Sequence, residues 1–269
     1  MQISDKYEKI PFPKNRELII DVVELGLLKH HVKGFFEVDV TAARKHIKDY
    51  YEKTGNKISF TSWIVKCISQ SVHENKQVHA IRKGKKDLII FDDVDVLVTV
   101  EKNVNGERFP LPYVIRKANE KSLLDISSEI RKAQALTVSN NEMVIGENNR
   151  SMRYYQLLPK FLRIAIGKRI IKDPFLLKKN VGTVGISAVG MKGKFNGWFI
   201  PISPQPLYFA LGGVTLKPTI IDSKIETREF LNISLIFDHD VVDGAPMIRF
   251  LERLIDLMEN CFELDTLDH

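Results

Sequence analysis

Residues 231–262 constrain the fold more than any other stretch of the chain. "LNISLIF" has the apolar, β-branched content of a strand, and "DHDVVDG" interrupts it with a polar run ending in Asp-Gly. "PMIRFLERLIDLMENCF" follows with Met247, Leu251, Leu254 and Met258 at helical spacing. A strand running through a tight polar turn into an amphipathic helix points to a sheet with helices packed over it. His239 then sits at or just beyond the strand end, where the sheet holds its backbone while its side chain reaches a cleft.

The rest of the chain reads the same way. "RELIIDVVELGLL" predicts a helix ending near Gly26, and Phe36, Val38 and Val40 alternate with polar residues as a strand does. "TAARKHIKDYYEKTG" predicts a helix with a Thr cap and a stop at Gly55. A second helix follows, burying Trp63, Ile64, Cys67, Ile68 and Val72. "DLIIFDDVDVLVTVE" suits two consecutive strands, and a loop then leads to the helix "SLLDISSEIRKAQAL". "VGTVGISAVG", "LYFALGGVTLKPTII" and "LNISLIFDHD" are the remaining strands. No repeat period and no flexible linker interrupts them, so the expectation is one α+β domain over 1–269, a mixed β-sheet with packed helices. "SNNEMVIGENNR" marks a surface insertion within about 140–180.

Composition narrows the class. The chain has 269 residues, 44% hydrophobic, enough for a sizeable core. The formal net charge of +6 suits an anionic ligand or acidic partner but is too small and dispersed to argue for nucleic acid. Two cysteines, Cys67 and Cys261, form no metal-spaced cluster, and His30 and His31 in "KHHVKG" lack a third ligand; no metal is expected. The polar N-terminus is no secretory signal, and no apolar run approaches the ~20 residues that span a bilayer, so the expectation is a cytoplasmic protein.

His239 has a plain and a chemical reading. A strand-end histidine is more often a satisfied or exposed polar residue, and Asp-Gly is a common turn signal. As a base, His239 needs a held imidazole exposed where substrate arrives. Asp243, near the helix start, can cap the first turn, and Gly244 permits a backbone angle or close approach that a β-carbon would block.

The run "SLIFDHDVVDGAPMIRFLERLIDLME" resembles the C-terminal signature of the catalytic domain of 2-oxo acid dehydrogenase acyltransferases, Asp-His-Arg-x-x-Asp-Gly-Ala before a Phe-Leu-x-x-Leu helix. Its His-x-x-x-Asp-Gly core is shared with chloramphenicol acetyltransferase, which has the same fold. "VGTVGISAVGM" resembles the family's Gly-Thr-Phe-Thr-Ile-Ser-Asn-Leu-Gly-Met segment, and residues 35–75 resemble its early strand-helix-helix portion. The resemblance runs from about Arg16 to about Glu259 and is weakest between about 140 and 180.

That resemblance implies a chloramphenicol acetyltransferase-like fold and acyl transfer between a thioester, either acyl-coenzyme A or carrier-bound, and a thiol, hydroxyl or amine. His239 would be the general base and Ser187 the oxyanion donor. Asp243 would hold the loop, with Arg16 as its partner and Gly244 as support. A trimer is implied, with each site between subunits, and a catalytically inactive trimeric scaffold is the alternative. Apart from coenzyme A as acyl-CoA substrate, no cofactor-binding residue is assigned.

Three departures qualify the resemblance. The catalytic pattern starts almost at once, so a freestanding enzyme is expected, with no covalent lipoyl group in this chain and an acyl carrier or lipoyl protein acting in trans. Asp240 stands where the complex enzymes carry arginine, changing the field beside the base. "YYQLLPKFLRIAIGKRIIKDPFLLKKN" has seven Lys and Arg against Asp173 alone. Helix packing is its ordinary reading; docking an acidic carrier or, not favoured, a membrane surface are the others.

Overall fold

A computed structural model describes residues 6–104, 107–135, 154–155, 157–188 and 196–268. The segment read as a surface insertion, 139–150, lies outside them, as does the end of the second motif at 189–191.

The main sheet has six strands in the order β1 (His31–Asp39), β8 (Lys224–Asp238), β7 (Leu207–Ile221), β6 (Val184–Ser187), β4 (Val96–Val104) and β5 (Glu107–Ile115). β4, β6 and β7 run parallel and the other pairings are antiparallel, which makes the sheet mixed, as expected. A separate ribbon joins β2 (Ile81–Lys83) to β3 (Asp87–Ile89).

The seven principal helices of the described residues are α1 (Lys14–Gly26), α2 (Thr41–Thr54), α3 (Phe60–Glu74), α4 (Leu123–Ala135), α5 (Lys160–Lys172), α6 (Pro174–Val181) and α7 (Gly244–Glu259). α3 packs against both α4 and α7 and is therefore buried nearly all round. Its Trp63, Ile64 and Ile68 meet Val98, Ile186, Phe209 and Ile233 from the sheet in one core. Enclosure reaches even Lys66, whose ammonium donates to the Lys121 carbonyl at 2.8 Å and lies 3.1 Å from Glu263. α7 inserts Met247, Phe250, Leu254, Leu257 and Met258, while Leu251, expected inside, is only half-buried. A smaller cluster of Leu25, Ile81, Ile171 and Leu177 ties α1, α5 and α6 to the ribbon.

Local chemistry sets several boundaries. Gly55 ends α2 at φ 69°, the left-handed conformation that a residue without a β-carbon adopts cheaply. Thr41 opens α2 but does not cap it as expected; its N–H and hydroxyl donate to Asp39 Oδ1 at 2.9 and 2.6 Å. Asp222 and Ser223, at φ 48° and 63°, form the two-residue turn between β7 and β8, with positive φ at both central residues as tight hairpins require. β5 was read as loop. "ERFPLPYVI" carries two prolines, which suit only an edge strand, and β5 occupies the sheet edge.

Candidate active site

The end of β8 is fastened before the chain reaches His239. Asp238 is buried, and its carboxylate accepts from Lys29 Nζ at 2.8 Å and from the Asp240 N–H at 3.2 Å. Its N–H donates to the Pro206 carbonyl, and its own carbonyl accepts from the N–H groups of Val241 and Val242. His239 donates its backbone N–H to the His30 carbonyl at 3.0 Å, while its imidazole is exposed and stacks on Phe237, centroids 6.1 Å apart and planes at 25°. No side-chain hydrogen bond to the imidazole occurs among the described residues. Sheet and ring stacking hold it, rather than a polar partner.

Asp240 has two close basic neighbours. Its carboxylate meets His30 Nδ1 at 2.9 Å and lies 3.8 Å from Arg82 Nη1. The His30 hydrogen bond, aided by the charges of Arg82 and Lys29, holds the carboxyl below its usual range. His31 opens β1, and burial lowers its pKa despite a hydrogen bond to the Gln205 carbonyl.

Ser187 closes β6, half-buried, beside Ala210 of β7. Gly185 lies opposite Tyr208, and a β-carbon there would sit 2.1 Å from the Tyr208 ring, so only glycine admits that ring. Burial, the largest cause, holds the Tyr208 phenol above its usual range, partly offset by the neighbouring Ser187 and Thr99 hydroxyls. Val184 and Ile186 face the helix-covered core, leaving Gly185 and Ser187 on the opposite face. The same face of β8 carries Asn232 and Ser234, whose buried Oδ1 and Oγ have no partner among the described residues.

One chain does not bring His239 to Ser187. Through Ala210, Ser187 is level with Ser234, five residues before His239, or about 17 Å along the strand, and two strand spacings add about 10 Å sideways. The pair is thus separated by about 20 Å, with Ser187 in the interior of the sheet and His239 beyond the end of β8.

The supporting residues differ from expectation. Asp243 is the N-cap of α7 but makes no side-chain cap hydrogen bond, because its carboxylate is exposed. Gly244 begins α7 without positive φ, and a β-carbon there would meet nothing within 4 Å, so the chain itself does not require glycine. Arg16, in the first turn of α1, is exposed and forms no ion pair with Asp243 among the described residues. Within one chain it is Asp238 and Lys29 that fasten the strand end. Only an aspartate beside the histidine hinted at this in the sequence, and Lys29 is 209 positions away. Replacing Asp238 by Asn leaves Lys29 poorly paired in a buried setting and costs about 3 kcal/mol. The urea midpoint falls accordingly; an unchanged midpoint denies the fastening role.

A surface cleft lined by His73, Lys76, Gln77, Pro246 and Arg249 holds none of these groups. Among the described residues no three His, Cys, Asp or Glu side chains are grouped to hold a metal ion, and no helix is long and apolar enough to cross a membrane.

The sequence model of the 2-oxoacid dehydrogenases acyltransferase catalytic domain matches residues 4–143 and 179–265. The chain belongs to that family. Among curated acyltransferases, it is 28% identical over 227 residues to the probable dihydrolipoyllysine-residue succinyltransferase component of the mitochondrial 2-oxoglutarate dehydrogenase complex of Schizosaccharomyces pombe, covering 82% of this chain and 42% of that one. It is 26% identical to the lipoamide acyltransferase component of the branched-chain alpha-keto acid dehydrogenase complex of Bacillus subtilis, covering 87% and 47%. The chain therefore spans less than half the length of these relatives. Dihydrolipoamide acetyltransferase (E2p) of Azotobacter vinelandii shares the fold, with a TM-score of 0.69 at 20% identity over 97% of this chain and 95% of that one. That crystallographic and enzymatic study concerns the catalytic roles of a serine, a histidine 52 residues later and an asparagine four beyond it. A probable dihydrolipoamide acetyltransferase of Listeria monocytogenes gives a TM-score of 0.66 at 19% identity over 96% of each chain. As an α+β fold, the acyltransferase catalytic core is what the sequence led us to expect.

Proposed function

We propose that this chain transfers an acyl group between coenzyme A and a thiol, hydroxyl or amine, at sites built from His239 of one subunit and Ser187 of the next. The observation carrying this is spacing joined to geometry. Ser187 and His239 stand 52 positions apart, and Asp243 follows four later, the intervals of the serine, histidine and asparagine in the Azotobacter enzyme. Yet within one chain the two side chains are about 20 Å apart, too far for one scissile carbonyl. A second copy supplies the missing half. The paired arm of β7 and β8, with exposed Leu216, Ile220 and Ile225 near its tip, offers apolar surface for such an assembly, which we propose is a trimer.

At such a site the imidazole takes the proton of the acceptor, whose S, O or N attacks the thioester carbonyl. The Ser187 hydroxyl, at the end of β6 beside Tyr208 of the neighbouring strand, turns its proton to the resulting oxyanion. Collapse breaks the carbon–sulfur bond, and the departing thiolate of coenzyme A recovers the proton from the imidazolium. The reverse course loads coenzyme A from an acyl-thioester. Asp243 and Arg16, which have no ion pair among the described residues, are assigned to supporting the His239 loop in the assembled protein. The acceptor is best sought on a lipoyl or acyl carrier protein acting in trans.

Purified protein mixed with acetyl-CoA or succinyl-CoA and dihydrolipoamide is expected to release free thiol of coenzyme A well above the protein-free rate. Silence across thiol, amine and alcohol acceptors would instead identify an inactive scaffold.

A further inference from the structure

The family model leaves residues 144–178 unmatched, and the described end of that stretch builds a surface with a definite chemistry. α5 lies against α1 through Arg163, whose guanidinium reaches Asp21 at 2.6 Å and Glu17 at 3.1 Å, and through Lys160, 2.5 Å from Glu24. Gly167 completes the contact against Leu25. The ordinary reading of this basic stretch, a packed helix, accounts for that inner face alone. Outward stand Leu157 and Phe161, 81% and 71% exposed, with Leu162 and Ile166 beside them. The second half of α5 presents Lys168, Arg169 and Lys172, all exposed and without an acidic partner among the described residues.

From this we infer that α5 is an interfacial helix that seats the protein on an anionic lipid surface, with Leu157 and Phe161 entering the acyl boundary and the three cations meeting lipid phosphates. The charge selects the occupant. A second copy docked face to face would set two like-charged triads against each other. An acidic protein would match the triad but leave an exposed leucine and phenylalanine against polar surface. An anionic bilayer satisfies both, since apolar burial and attraction to headgroups act together at its interface. The attachment is salt-sensitive because the cations are exposed.

Co-sedimentation of the full chain with vesicles tests this. The protein is expected to pellet with phosphatidylcholine mixed with phosphatidylglycerol at low salt, and to stay in solution with phosphatidylcholine alone. Each cation near an anionic surface strengthens partitioning about fivefold, so K168Q/R169Q/K172Q lowers it about a hundredfold. Leu157→Ser with Phe161→Ser also releases the protein, and being exposed, these changes leave its circular dichroism and thiol-release rate unaltered. Failure to pellet with either vesicle, equal pelleting with both, or retention undiminished in the variants overturns the proposal. So does capture of a purified acidic acyl carrier protein by the same side chains while vesicles are ignored.

Discussion

Co-expressed in equal amounts, His239→Ala and Ser187→Ala chains recover roughly a quarter of wild-type turnover, although each variant alone is nearly inactive. Removing the base costs about 10²–10⁴ in rate, and removing one oxyanion donor about 10²–10³. Recovery follows from where the sheet places the two groups. The register Ser187–Ala210–Ser234 fixes Ser187 level with the middle of β8, while His239 lies beyond its end, at the start of β1. In a closed ring, each site takes its histidine from one chain and its serine from the next. With random mixing, half the sites have an intact histidine, and half of those an intact serine. A site wholly within one chain gives no recovery at any mixing ratio. Turnover by the mixture at the level of the separate variants would therefore end the shared-site proposal, with subunit exchange checked by tagging one chain.

Much of this arrangement was legible in the sequence, and the parts that were not share a physical cause. Local signals carried the principal strands of the core and most helices: the β-branched run of β8, the αL stop at Gly55, and the buried stripe of α3. What escaped depends on partners distant in sequence. β5 was hidden because two prolines argue against a strand until its place at the sheet edge is known. The histidine was singled out with Asp243 and Arg16 as its support, but the fastening visible within one chain, Asp238 to Lys29, joins residues from opposite ends of the sequence. Gly244 looked like the glycine that mattered; the one with no room for a β-carbon is Gly185, under the Tyr208 ring. A turn motif reports local backbone preference, and close approach between strands is invisible to it.

Acidification destabilises the protein through a histidine that no motif marks. His79 is buried, its Nδ1 2.8 Å from the Thr183 hydroxyl and its Nε2 3.2 Å from the Phe91 carbonyl. Because a carbonyl only accepts, Nε2 carries the proton and Nδ1 accepts from Thr183, which fixes the neutral ring. Burial, the largest cause, pushes the His79 pKa down to about 4, and the nearby Lys178 charge adds to it. In the unfolded chain the ring titrates near 6.5, so as pH falls the unfolded state binds the proton first. The contribution to stability is whole above about pH 6.5 and is lost progressively down to about pH 4, amounting to about 3 kcal/mol across the window, of which about 2 kcal/mol is gone by about pH 5. His79→Gln keeps one donor and one acceptor but cannot charge, so its urea midpoint falls less than wild type's between neutral pH and about pH 5, by that same about 2 kcal/mol. Equal losses in the two proteins would show that His79 is not the group responsible. Thr183 leads directly into β6, so protonation of the folded ring, which sets in only near pH 4, loosens the strand that carries Ser187 at the acid end of this window.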